Sequence, residues 1–307
     1  MTAYITYLIL KGFIFFINLL PESLSLWLGR QMGRVAFYLD LEHRKVALQN
    51  LHIAFGQEKT ESEIYAIAKG TFQNLGMTAA EFFRIPEMDV GTFKKKVTME
   101  GLEIVEKALN DGGKGILLLL SHFGNWELMG LMSKVLENPI MVIARPIKKN
   151  RWMNQLVAEI RKEAGLEVIS TEKASRKILQ ALARNRLVGI LIDQRAKRNE
   201  GVWAEFFGKR VPTTPVLAVL AMRTGAPVLP VFMVRNGHRQ HHLLIQEPLK
   251  LVSTGDVKKD VEANTQLINR TLESMIRQYP DQWFWVHRRW ERKKRVSKKS
   301  ALPAGGE

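Results

Sequence analysis

"LLLLSHFGNWELMG", residues 117–130, holds a histidine and a glutamate five positions apart where an apolar run ends. An imidazole near neutral pKa can take a proton from a hydroxyl, and a carboxylate can fix its tautomer and stabilise the imidazolium that forms. On one continuous helix His122 and Glu127 would point roughly 140° apart, because each residue turns about 100°. They can cooperate only if His122 precedes a helix, on a loop, and folds back onto its first turn. Asn125 is then placed to cap a helix starting at Trp126, and Glu127 sits in the first turn, where the helix dipole favours its charge. A His-x4-Glu spacing is short and common. Its bland reading is a histidine satisfied by backbone and a helix-start glutamate.

Two further strand ends carry polar groups. "ARPIKKN" (144–150) presents Arg145, Lys148 and Lys149, and "LIDQRAKRNEGVWAEFFGKRVPTTP" (191–215) begins with Asp193 and Gln194. Each alone reads as a solvated loop. Three together point to a site.

The elements that must position these residues alternate. Helical patterns at 102–112, 126–137, 151–164, 172–184, 215–225 and 259–278 are interleaved with strand patterns at 115–120, 140–144, 166–170, 187–192, 227–234 and 241–249. This predicts an α/β fold with a central, mainly parallel or mixed sheet flanked by helices. Ligands of such sheets gather at the carboxyl ends of the strands, where His122 lies.

Residues 4–20, "YITYLILKGFIFFINLL", are apolar but for Lys11, Asn18 and a threonine. At 1.5 Å per residue they make about 25 Å of helix, against a bilayer core of about 30 Å. A membrane helix, an embedded interfacial helix and a buried core helix are all compatible. No A-x-A cleavage site follows. The first charges inward are mostly basic, which puts the bulk of the chain on the cytoplasmic side. The expected organisation is an N-terminal membrane anchor over 1–24, a catalytic domain over 25–295 and a basic tail over 296–307.

The 307 residues carry a net charge of +16 and no cysteine. Cysteine chemistry is excluded, and an anionic partner is indicated: a nucleic acid, an acidic membrane surface, or an acidic carrier or substrate. No zinc pattern, helix-turn-helix or RNA-binding aromatic signature supports nucleic acid, and the apolar amino terminus argues against it. "HRRWERKKRVSKK" (287–299), with eight basic residues, reads either as a solvated tail or as a strip at an anionic lipid surface. "HRQHH" (238–242) lies in a hairpin region without a neighbouring carboxylate, so no metal is expected. "WFW" (283–285) reads as an interfacial anchor or as packing.

The boxes "SHFGNWE", "ARPIKKN" followed by Arg161, "IDQ" leading into "VWAEFFGKRVPTTP", "RTGAPVLPVF" and "PDQWFWVHRRW", with "HRKVALQNLHIAF" upstream, resemble the bacterial lipid A biosynthesis acyltransferase family, over roughly residues 5–295. The resemblance implies an enzyme of the inner membrane with its catalytic domain on the cytoplasmic side. It would move a fatty acyl group from an acyl carrier protein thioester to a hydroxyl of a lipid A precursor, with no cofactor. Another acceptor (a phosphatidylinositol mannoside or a lysophospholipid) or an acyl-CoA donor is the alternative. In this scheme His122 is the general base and Glu127 orients it. Arg161 and Arg145 stabilise the oxyanion or bind substrate phosphates, and Asp193 positions an arginine or the acceptor. Asn125, Gln194 and Lys148 contact substrate. Ser121 is the challenger as a nucleophile.

Overall fold

The computed structural model describes residues 2–145, 150–171, 174–197 and 199–290. The amino-terminal part is helical: α1 (Thr2–Leu19), α2 (Glu22–Leu39), α3 (Leu41–Phe55), α4 (Glu61–Arg84) and α5 (Val90–Lys96). An alternating series follows: β1 (Val97–Glu100), α6 (Leu102–Gly112), β2 (Ile116–Leu120), α7 (Met132–Val135), β3 (Ile140–Ala144), α8 (Arg151–Glu163), β4 (Leu166–Ser170), α9 (Ala174–Ala183) and β5 (Leu187–Leu191). The chain then forms a hairpin of β6 (Val202–Phe206) and β7 (Lys209–Thr213), and continues through α10 (Val216–Thr224), β8 (Val228–Asn236), β9 (Gln240–Ile245) and α11 (Val257–Gln278).

Seven strands make one sheet in the order β1-β9-β8-β2-β5-β3-β4. Every neighbouring pair is parallel except β8 with β9. The expected α/β architecture is present. β2 is buried at all five positions, as a central parallel strand covered on both faces must be. Leu117 and Leu119 face a core shared with Val188, Phe232 and Leu272. Ile116, Leu118 and Leu120 face the other, with Leu128, Ile160 and Val231. α8 is started by Asn150, whose side chain accepts from the N–H groups of Trp152 and Met153.

Residues 126–137 do not form one regular helix. A 3-10 stretch, Leu128–Leu131, runs into the short α7. Gly130 packs so closely here that a Cβ on it would meet Ala164 Cβ at 2.9 Å.

The expected membrane-spanning anchor is not supported. No described helix is long and apolar enough to cross a bilayer. The 18 residues of α1 rise about 27 Å, short of the roughly 30 Å hydrocarbon core. α1 is instead fastened to the domain. Asn18 donates to Phe83 O, Arg84 donates to the carbonyls of Ile17 and Leu20, and Tyr4 and Tyr7 pack on Trp152 of α8. Its other side leaves Ile5, Leu8, Ile9, Phe15, Phe16 and Leu19 exposed, and α2 leaves Trp27, Met32, Val35 and Leu39 exposed.

Candidate active site

His122 is the second residue past β2 and Asp193 the second past β5. β2 and β5 are parallel neighbours in register, Leu120 opposite Leu191. Two residues 71 apart in the chain therefore meet at one carboxyl edge. The His122 backbone N–H donates to Asp193 Oδ2 and its Nδ1 lies 2.9 Å from Asp193 Oδ1. A carboxylate only accepts, so Nδ1 carries the proton and Nε2 presents its lone pair outward. Trp283 Nε1 donates a third bond to Asp193 Oδ2, at 2.9 Å. Asp193 is buried. Burial works against its charge, but the imidazole and these three donors outweigh it and hold its pKa below the usual carboxylate value. For His122, burial also opposes the charged form, yet Asp193, with Glu127 farther off, outweighs it and raises the pKa above 6.5.

This corrects the pairing of His122 with Glu127. Glu127 is bound instead to Arg161 of α8, through Nε at 2.9 Å and Nη2 at 2.5 Å, and Trp126 Nε1 donates to it as well. The 3-10 geometry after Asn125 turns Glu127 toward α8, while strand adjacency supplies His122 with Asp193. Asp193 for its part positions a histidine rather than an arginine. Two of Arg161's N–H groups are thereby occupied by Glu127. Burial opposes the guanidinium's charge, but the Glu127 bond keeps it firmly protonated.

Asn125, expected to contact substrate, is fully buried and structural. Its Oδ1 accepts from Leu128 N and its Nδ2 donates to Glu81 Oε2 at 2.6 Å. Glu81 is also paired with Arg235 at 2.6 and 3.0 Å. Burial penalises the Glu81 carboxylate, but Arg235 and His241 outweigh it and hold its pKa down to about 2. Gly124, at φ +55, lies so close to β8 that a Cβ would sit 1.7 Å from Met233 O, which is why a glycine stands there. Gln194 is exposed, with Nε2 3.5 Å from His122 Nε2. Arg145 is exposed at the end of β3. Lys148 and Lys149 lie outside the described residues.

Ser121 is buried and both imidazole nitrogens face other partners. His241 and His242 of "HRQHH" do have carboxylates beside them, Glu81 at 3.5 Å and Glu100 at 2.9 Å, brought in from other elements. No group of metal-binding side chains occurs among the described residues.

The segment 283–290 carries site residues that spacing did not reveal. Trp283 and Trp285 are core residues, not interfacial anchors. Phe284 N–H donates to His122 O, and its ring lies 5.6 Å from the imidazole, beside Trp126, which is 5.2 Å from the imidazole and 5.9 Å from Phe284. His287 Nε2 accepts from Arg195 N. The basic character of the segment misdirects, because Arg289 is 1% exposed. Residues 291–307, including most of the basic strip and the tail, lie outside the described residues.

The profile described as bacterial lipid A biosynthesis acyltransferase matches residues 1–292. Among curated proteins, the chain is 27% identical over 274 residues to a lipid A biosynthesis palmitoleoyltransferase of Escherichia coli, covering 89% of this chain and 86% of the relative. It is 24% identical over 285 residues to a lipid A biosynthesis lauroyltransferase of Escherichia coli, covering 91% and 89%. To a phosphatidylinositol mannoside acyltransferase of Mycolicibacterium smegmatis it is 30% identical over 216 residues, covering 68% and 67%.

Proposed function

Because the chain belongs to the bacterial lipid A biosynthesis acyltransferase family, we propose that it carries an acyl group from an acyl carrier protein thioester to a hydroxyl of a lipid A-type glycolipid, with His122 as the general base. The observation that carries this reading is the bond from His122 Nδ1 to the buried Asp193, which turns the Nε2 lone pair outward, where its neighbour is the exposed Gln194 amide at 3.5 Å. The acceptor hydroxyl gives its proton to Nε2 as its oxygen attacks the thioester carbon. General-base help of this kind is worth about 10²–10⁴-fold. The resulting imidazolium is held by Asp193. It returns the proton to the thiolate leaving group when the tetrahedral intermediate collapses. Attack is direct: Ser121 is buried, and the imidazole nitrogens face Asp193 and Gln194.

The oxyanion needs donors on the Nε2 side. Gln194 Nε2, 3.5 Å from His122 Nε2, is positioned for this. So are the N–H groups of Arg161 left over from Glu127, which also suit a substrate phosphate. The +16 charge favours an acidic carrier as donor and an anionic surface as location. The exposed apolar residues of α1 and α2 suit peripheral seating on the cytoplasmic face of the inner membrane, with the helix lying in the interface.

Mass spectrometry of lipid A from cells with and without the gene tests the assignment. Loss of one acyl chain, restored by wild type and not by His122→Ala, is the expected result. Unchanged lipid A would overturn it. A second reading, acylation of a phosphatidylinositol mannoside, draws on the 30% identity to the mycobacterial relative. It predicts that another lipid changes instead.

A further inference from the structure

Asn50 of α3 is 3% exposed. The buried face of that helix is Val46, Ala47, Asn50, Leu51, Ala54 and Phe55, so Asn50 is its one polar position. An amide in an apolar stripe is costly unless its hydrogen bonds are met. Those of Asn50 are met far along the chain. Its Nδ2 donates to Trp285 O and to His287 O, each at 2.7 Å. A side-chain amide has two N–H donors, and here both are given to the main chain of the strap 283–290. Two of the strap's backbone bonds, Trp285 N to Trp283 O at 2.8 Å and His287 N to Phe284 O at 3.2 Å, only close turns within it. Buried carbonyls outside a regular ladder need side-chain donors, and Asn50 supplies them.

The strap in turn holds the site by direct contacts. Trp283 Nε1 donates to Asp193 Oδ2 at 2.9 Å and Phe284 N donates to His122 O at 3.0 Å. His287 Nε2 accepts from Arg195 N at 3.1 Å, and Arg289 Nη1 donates to Gln194 O at 3.3 Å. The carbonyls taken by Asn50 are interleaved with these groups: one follows Phe284 directly, and the other belongs to His287. Upstream of Trp283, Asn74 of α4 donates to Asp281 O at 3.0 Å. Arg288 also reaches α3, through Glu42 at 2.6 Å, but that pair is exposed and worth little.

We propose that Asn50 is a positioning residue for the transfer: by donating to Trp285 O and His287 O it fixes the strap where Trp283 holds Asp193 and Phe284 holds His122. This rests on His122 being the base. The upstream box "HRKVALQNLHIAF" (43–55) thereby gains a part in the site. Its apolar stripe seats α3 on the core that contains Trp283 and Trp285, and its asparagine carries that seating to the reacting pair.

The test is steady-state transfer by the full-length enzyme, with an acyl carrier protein thioester and a lipid A precursor, beside the NMR signal of the Trp283 indole N–H. Asn50→Leu keeps the volume and removes both donors. Its kcat is expected to fall by about 10²-fold with KM unchanged, the scale of a catalytic group misplaced by about 1 Å. The Trp283 indole proton is expected to move upfield as its bond to Asp193 loosens. Asn50→Ala empties the position as well. It should show the same loss of kcat, because it lacks the same donors, and it decides the matter if the leucine variant does not fold. Wild-type kcat in either folded variant overturns the proposal. So does a slow variant whose Trp283 signal has not moved, since its defect then lies elsewhere. Full turnover in His122→Ala would instead remove the base assignment, while the indole signal would still report the hold of Asn50 on the strap.

Discussion

Asp193→Asn separates the role of the carboxylate from that of its shape. Oδ2 accepts two bonds, from His122 N and Trp283 Nε1, and Oδ1 accepts one, from His122 Nδ1. An asparagine satisfies the two-donor side only by placing its carbonyl there. Its NH2 then faces Nδ1, which must become an acceptor. The proton is forced to Nε2, the atom that has to receive the substrate proton. The variant keeps the fold and loses the base, so kcat should fall by about 10³-fold, within the 10²–10⁴ range of general-base catalysis and in line with tautomer loss in a catalytic triad. Three hydrogen bonds lose their charged acceptor, at a cost to stability of about 2 kcal/mol or more.

The sign with pH follows from both groups. Asp193, with its pKa lowered from 3.8, stabilises the fold above that pH and loses the contribution as pH falls through its folded value. His122, raised from 6.5, stabilises below that pH and loses the contribution as pH rises through its folded value. The stability gap between wild type and Asp193→Asn is therefore widest between pH 3.8 and 6.5. Steady-state transfer assays, thermal melts across that range and 15N spectra of the imidazole measure all three quantities. A variant with more than a tenth of wild-type kcat, or one whose His122 keeps its proton on Nδ1, would refute the reasoning.

Glu81→Gln leaves Arg235 as an uncompensated buried cation and should cost about 3–5 kcal/mol in a neutral-pH melt. Because Glu81 is held near 2 rather than 4.5, wild type should lose stability between those pH values and the variant should lose less. Gly124→Ala drives a methyl into Met233 O and should destabilise by about 3 kcal/mol or more, read by denaturant melt, with transfer activity falling too. Glutamate at both Phe15 and Phe16 should weaken sedimentation with anionic vesicles by tenfold or more, from a loss of about 2 kcal/mol per buried ring. Soluble-thioester turnover should stay near wild type.

The sheet was legible because its strands are short apolar runs between turn residues, and the run ending at His122 marked the edge where Asp193 meets it. The partner of His122 was not. Local spacing favoured Glu127, five positions on, over a carboxylate 71 positions away. Which strands lie side by side is decided by crossovers that periodicity does not encode. The hairpin of β6 and β7 was hidden within a polar stretch read as loop. Arg289 was obscured by composition: in a run of basic residues nothing marks the one that turns inward. α1 shows the opposite failure. Its apolar content suggested a span, while Asn18 and Arg84, which tie it to α4, carry little hydropathy signal.

The strap formed by residues 283–290 has a consequence for biosynthesis. His122 and Asp193 leave the ribosome early, but Trp283, Phe284, His287 and Arg289, which hold them, are made about 90 residues after Asp193. A nascent chain can complete β2 and β5 and still lack a fixed imidazole. With His122 as the proposed base, acyl transfer is expected only once synthesis has passed Trp283 and Phe284, which bond Asp193 and His122. A chain ending before Trp283 would carry the whole histidine box but lack the indole that donates to Asp193 and the Phe284 N–H that donates to His122 O.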